Sequence, residues 1–207
     1  MNKQVTLWLL LVALAAGPAA ATDRSEALGR VEPSRAQGLP AVAADFLAGS
    51  AHWTDDDSRQ ALMKALSQWL TENCDVPSTP ELPRVMQATS DSISALRYGR
   101  LPGTNQASDS AVRANGHSTV AVYVERERTV YLPENFKGNT PAELSVLVHE
   151  MVHHIQIAAR LQYDCPQARE KPAYLAQQRW LRLFDRDLWT EFQIDALTIF
   201  VNSACFH

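Results

Sequence analysis

The amino-acid sequence predicts an α+β domain. Three observations lead there: long segments with apolar residues at three- and four-residue steps, two β-branched and aromatic runs separated by four charged residues, and the alternation of helical with extended segments along the chain. With 207 residues, 46% of them hydrophobic and 20% charged, the chain can build one domain around its own core and has no disordered composition. The formal charge is −4 and the basic residues are scattered, with Arg179, Arg182 and Arg186 spaced along a predicted helix face, so nucleic acid is excluded as an expected partner.

The N-terminus reads as an export signal. Lys3 precedes the apolar run Val5 to Ala16, then Gly17-Pro18 and the small residues Ala19-Ala20-Ala21. That run is too short for a spanning helix, which needs about 20 residues. Cleavage after Ala21 is expected, giving a periplasmic or secreted protein with no membrane association after processing. Residues 22–52 mix Gly29, Pro33, Gly38, Pro40 and Gly49 with short apolar pieces and are expected to be a loosely ordered lead-in to a domain over 53–207.

In that domain the acidic triplet Asp55-Asp56-Asp57 precedes Ala61, Leu62, Ala65, Leu66, Trp69 and Leu70, the pattern of an amphipathic helix with acids at the positive end of its dipole. Pro77, Pro80 and Pro83 break the chain before a short strand at 84–88, and Ser90 is placed to cap a helix running to Tyr98. The polar stretch Gly99 to Gly116 is expected to be a loop bordering a cleft. Thr119 to Val124 and Thr129 to Leu132 predict a β-hairpin turning at Glu125-Arg126-Glu127-Arg128.

Next comes the most informative helix. Thr140-Pro141-Ala142-Glu143 places threonine at the N-cap, proline at the first helical position and glutamate three residues after the cap, which predicts a capping box. Leu144, Leu147, Val148, Met151, Ile155 and Ala158 then form an apolar stripe. On this helix stands His149-Glu150-Met151-Val152-His153, an H-E-x-x-H sequence. Residues four apart on a helix lie about 40° apart around the axis and about 6 Å along it, so both imidazoles can reach one ion. Glu150 sits beside that point, where a carboxylate can serve as general base for metal-assisted hydrolysis. His154 points about 100° away from His153 and is expected at the edge of the core.

These residues resemble the zincin metallopeptidases, in particular compact gluzincin-like forms of exported bacterial proteins, in which a short sheet leads into the H-E-x-x-H helix. The similarity covers roughly residues 84–195 and is strongest from His149 onwards. The third-histidine pattern of metzincins is absent, since position 159 is Ala159. The resemblance implies one Zn2+ held by His149, His153 and a glutamate on a later helix, with Glu150 catalytic. Glu170 is the preferred glutamate, because Glu170-Lys171-Pro172-Ala173 looks like the glutamate, two residues, alanine arrangement of compact gluzincins, and the loop from Leu161 to Ala168 is long enough to turn back. Pro172 then has to lie in the first turn of its helix. Glu191 is the rival, with Asp195 four residues on as an orienting partner for a ligand histidine or simply a helix-end charge. Tyr163, Tyr174 and His154 are all open as the group that steadies an oxyanion.

Three cysteines, Cys74, Cys165 and Cys205, fit an exported protein with one disulfide and one thiol, and there is no C-x-x-C unit to suggest a structural zinc site. Loop closure is worth about 4 kcal/mol for Cys165 with Cys205 and only tenths more for Cys74 with Cys165, so energy does not choose. Cys165 with Cys205 is the expected pair, because both flank elements that must pack around the motif helix. The expected activity is exported zinc-dependent cleavage of peptide bonds in a peptide or protein. The alternatives are a non-catalytic zinc-binding or envelope protein on the same scaffold, and an amidase acting on cell-wall peptide.

Overall fold

The computed structural model describes residues 38–98 and 121–205. The expected signal segment 1–21, the first part of the lead-in and the polar stretch at 99–116 lie outside these residues. Among the described residues the architecture is α+β: seven α-helices surround or flank a three-stranded sheet.

The lead-in is not loosely ordered where it is described. Helix α1, Ala41–Ala48, buries Ala43 and Phe46 completely and ends at Gly49, whose φ of 76° is a left-handed cap. Its eight residues are too few for a period to stand out, and Gly49 closes a helix here. Phe46 meets Trp53 edge-on, and Trp53 in turn packs on Phe136 with ring centroids 4.7 Å apart.

Helix α2, Asp56–Asn73, starts as expected, with the Asp55 carboxylate accepting from Ser58 N–H, and it buries Leu62, Met63, Leu66, Trp69 and Leu70. Strand β1, Arg84–Ala88, is followed by α3, Ser90–Tyr98. The cap of α3 is Thr89, one residue earlier than expected: its hydroxyl accepts from Ser92 N–H at 3.2 Å.

Strands β2, Val122–Val124, and β3, Thr129–Pro133, form the expected antiparallel hairpin, with Tyr123 opposite Val130. Arg128 takes a left-handed φ of 49° at the turn. The sheet is mixed, however. β1 pairs with β3 in parallel, Val85 opposite Val130, so the order is β1-β3-β2 and β3 is central. Its Val130 and Leu132 are fully buried. Parallel pairing needs a long crossover, and no residue pattern local to 84–88 announces it.

Gly138 turns the chain from β3 into the motif helix. Its φ is 66°, and a Cβ there would meet Phe136, Leu144 and Phe46 only at ordinary contact distances of 3.4–3.5 Å, so it is the left-handed conformation that favours glycine. Helix α4, Pro141–Ala158, follows. The Thr140 hydroxyl accepts from Glu143 N–H at 3.1 Å, but the expected capping box is only half closed: the Glu143 carboxylate reaches past the cap to Asn139 N–H and Lys137 N–H.

The expected one-sided stripe is an understatement. Leu144 through Val152 are buried without interruption, so α4 runs through the middle of the domain. Each fully buried leucine or isoleucine on it contributes roughly 1.5–3 kcal/mol. Helix α5, Glu170–Arg182, packs along α4. Its Trp180 is fully buried, meets Trp69 of α2 edge-on at 5.2 Å and donates from Nε1 to Pro141 O. Two short helices, α6 (Leu188–Phe192) and α7 (Ala196–Ser203), complete the chain.

Candidate metal centre

By the third turn of α4 the chain is deep in the core, and this is where the histidines stand. His149 and His153 place their Nε2 atoms 3.2 Å apart. Two local features bring Glu170 to them. Arg160 adopts a left-handed φ of 54° just past α4, and a 3-10 turn over Pro166–Arg169 leads directly into α5. Pro172 is the third residue of α5, inside the first turn, so it costs the helix nothing. Ala173, fully buried, lets the two helices come close. Glu170 Oε2 then lies 3.3 Å from His149 Nε2, and Oε1 lies 3.5 Å from His153 Nε2.

These spacings can be tested against a metal. A tetrahedral zinc ion with nitrogen and oxygen donors at about 2.0–2.1 Å needs those donors about 3.3–3.4 Å from one another. The two Nε2 atoms lie 3.2 Å apart and each ring has a Glu170 oxygen at 3.3 or 3.5 Å, Oε2 for His149 and Oε1 for His153. With one carboxylate oxygen serving both, the three donors lie within 4.8 Å of one another, close to that spacing but wider on one side. Two imidazoles and one carboxylate also match zinc's choice of donors, and they are unsuited to the all-oxygen shells of calcium or magnesium. In donor type and in approximate spacing the residues fit the ion.

The electrostatics agree with the geometry. Burial works against a charge on Glu170, yet the His149 and His153 rings beside it outweigh burial and hold its carboxyl well below the usual range. Burial likewise favours a neutral His153, but Glu170 and Glu150 outweigh it and push the ring's pKa up. The site draws positive charge.

A cleft of about 550 Å3 opens over this point, lined by Glu150, His153, Glu170 and Tyr174, with Val122 and Tyr123 of β2 along one wall. Arg97 of α3 and Asn202 of α7 complete its rim. Of the three candidates for steadying an oxyanion, only Tyr174 is placed there. Its ring packs edge-on against His149 at 4.9 Å, and its hydroxyl accepts from Asn202 Nδ2 at 3.2 Å, leaving its own proton to give. His154 faces away from the site, with Nε2 donating to Glu81 O and Nδ1 accepting from the Tyr123 hydroxyl, which ties α4 to β2 and to the segment before β1. Burial lowers its pKa and keeps the ring neutral. Tyr163 does not line the cleft.

Glu191 is not brought to the histidines; its carboxylate pairs with Arg186 at 2.8 Å. Asp195 orients no histidine. It caps α7, accepting from Thr198 N–H at 2.7 Å. The groups that do hold the ring nitrogens are two glutamines that sequence reasoning passed over: Gln177 Oε1 at 3.1 Å from His149 Nδ1, and Gln156 Oε1 at 3.0 Å from His153 Nδ1. Helical spacing could have found both, since Gln156 lies one turn from His153 and Gln177 two turns from Glu170 on the same face.

The Cys165–Cys205 disulfide is present, with Cα atoms 5.8 Å apart. It ties the end of α7 to the turn that precedes Glu170. Cys74 is a free thiol, pushed up to about 11 by burial.

No curated protein and no solved structure matches the chain. A family model does, over residues 55–207, a span that runs from the start of α2 and contains the histidines, Glu150, Glu170, both glutamines and the cysteines. The chain belongs to the family described as a domain of unknown function, DUF6647.

Proposed function

We propose that this protein is a zinc-dependent hydrolase of peptide bonds, zincin-like in its site, with His149, His153 and Glu170 holding one Zn2+ and Glu150 acting as general base. The single observation that carries the reading is the mutual spacing of three donors of the right chemical type, on two helices, beside a buried carboxylate and under an open cleft.

Zinc bound there would supply Lewis acidity, polarising a carbonyl and bringing the pKa of water towards about 7. The rest falls to the chain. Glu150 takes a proton from the attacking water and passes it to the leaving amine. Tyr174 donates from its hydroxyl to the oxygen on which negative charge develops, and Asn202 fixes the direction of that hydroxyl. β3 has a strand on each side, so among the described residues β2 is the hairpin strand with an edge to offer an extended substrate, and Val122 and Tyr123 already line the cleft. Export is supported by the disulfide, which persists in oxidising compartments.

The test is metal analysis together with the Glu150→Gln variant. The purified protein should retain one zinc per chain and cleave an unstructured protein or a cell-wall peptide, and Glu150→Gln should keep the zinc and lose the cleavage. Full turnover by Glu150→Gln would sink the mechanism. Zinc without turnover on either substrate would favour the non-catalytic alternative, and cleavage of cell-wall peptide alone would favour the amidase.

A further inference from the structure

Each histidine of the pair is braced by a glutamine, and each brace ends on a main-chain carbonyl. Gln156 Nε2 lies 2.8 Å from Arg169 O. A carbonyl only accepts, so the amide NH2 faces Arg169 and the amide oxygen faces His153 Nδ1. That oxygen also only accepts. The His153 ring therefore carries its proton on Nδ1, and in the neutral ring Nε2 is a bare lone pair.

The second brace is one link longer. Ser145 Oγ donates to Ala142 O at 2.7 Å, which uses its only proton, so it accepts from Gln177 Nε2 at 3.3 Å. Gln177 Oε1 then faces His149 Nδ1, and the same logic leaves His149 Nε2 bare. With both rings neutral, two bare lone pairs thus point at each other across 3.2 Å, with the Glu170 carboxylate alongside.

We propose that Gln156 and Gln177 are positioning residues that lock both histidines in the Nδ1–H tautomer while tying each ring to the helix that carries Glu170. Gln177 is itself on α5, and Gln156 reaches the carbonyl of the residue just before Glu170. The donor set is thereby assembled before an ion arrives. An amide is the side chain this task needs: it accepts from the imidazole with one end and donates to the next group with the other. A carboxylate at position 156 would still accept from His153 but would turn a lone pair on Arg169 O. The inference rests on the metal-site reading for its purpose, but the tautomers stand on the hydrogen bonds alone.

Long-range 1H–15N correlation spectra of the chelator-treated protein, recorded above the imidazole titration range, test it directly. Both rings should be Nδ1–H in the natural sequence. Gln156→Met should release His153 towards the Nε2–H form and leave His149 unchanged, and Gln177→Met should do the reverse. Gln156→Glu and Gln177→Glu should keep the Nδ1–H tautomer, which guards against reading a misfolded methionine variant as a result. Zinc affinity by chelator competition should fall about 10–100-fold in each methionine variant. An Nε2–H ring at either position in the natural sequence, or folded methionine variants with unchanged tautomer and unchanged affinity, would overturn the proposal. Nδ1–H tautomers in a protein with no zinc affinity would instead overturn the metal reading and leave the tautomer assignment standing.

Discussion

Glu170 and Glu191 are two glutamates in two C-terminal helices, and the molecule treats them in opposite ways. Glu170 opens α5, a thirteen-residue helix packed along α4, and its carboxylate arrives within 3.5 Å of both histidines. Glu191 lies in α6, a five-residue helix capped by Asp187, and its carboxylate closes an ion pair with Arg186 five residues away. The difference is one of packing. α5 buries Ala173, Ala176 and Trp180 in the main core and is thereby held against α4, whereas the only fully placed apolar anchor of α6 is Leu188, in a small cluster with Tyr174 and Leu181. A carboxylate becomes a candidate ligand by riding on the helix that the core presses against the histidines.

The sharpest way to break that contrast is to remove each acid in turn. Glu170→Gln should abolish retention of zinc through gel filtration, and Glu191→Gln should leave zinc content and affinity unchanged; the reverse pattern would exchange the two roles. The disulfide ties the turn before α5 to the end of α7, past the helix of Glu191, and its removal is the next largest effect. Cys165→Ser with Cys205→Ser should lower unfolding free energy by roughly 2–5 kcal/mol in denaturant titration. Because the bond anchors α7, whose Asn202 holds the Tyr174 hydroxyl, turnover should fall further than zinc content does.

The core side of the comparison is tested by leucines. Leu147→Ala, fully buried on α4, should cost about 2–5 kcal/mol, while Leu197→Ala, two-thirds exposed on α7, should stay within about 0.5 kcal/mol. The smallest effect belongs to the capping acids. Hydrogen bonds from Ser58, Thr190 and Thr198 hold the carboxyls of Asp55, Asp187 and Asp195 below their ordinary values. Their contribution to stability is therefore complete above the unfolded carboxylate pKa of about 4 and is lost as pH falls through the lower folded values. The Asp→Asn triple variant keeps the acceptors and should flatten the acid side of a stability-against-pH curve, read from denaturation midpoints.

Much of this was legible in order along the chain because the signals are local. A capping threonine, proline at the first position and an apolar period locate α4, and the H-E-x-x-H spacing fixes which way two histidines project, whatever the rest of the fold does. The β-branched runs around Glu125–Arg128 likewise mark a hairpin. Where the sequence left a choice or missed, the cause is the same. Asp195 has the spacing of an orienting acid as well as the place of a helix-end charge, and Thr198 three residues later offers its N–H and makes it the helix-end cap. Glu143 has the spacing of a capping box, yet the turn at Gly138 brings Asn139 and Lys137 N–H within reach of its carboxylate. In both cases a pattern that is satisfied locally can be satisfied in more than one way.

By itself the sequence determined what rides on what: both histidines and Glu150 on one helix, Glu170 at the threshold of another with Pro172 safely in its first turn, and a hairpin ahead of them. Those are consequences of helical period, capping chemistry and proline geometry, which act over four residues or fewer. Tertiary structure alone decided that α4 lies buried on all sides, that β1 joins the sheet in parallel, that Glu170 and not Glu191 meets the histidines, and that glutamines hold the rings. All but the Gln156 contact, which lies one turn from His153, depend on residues well separated along the chain, where the choice is made by the apolar surface that two helices bury together and by the polar groups which that burial forces to find partners.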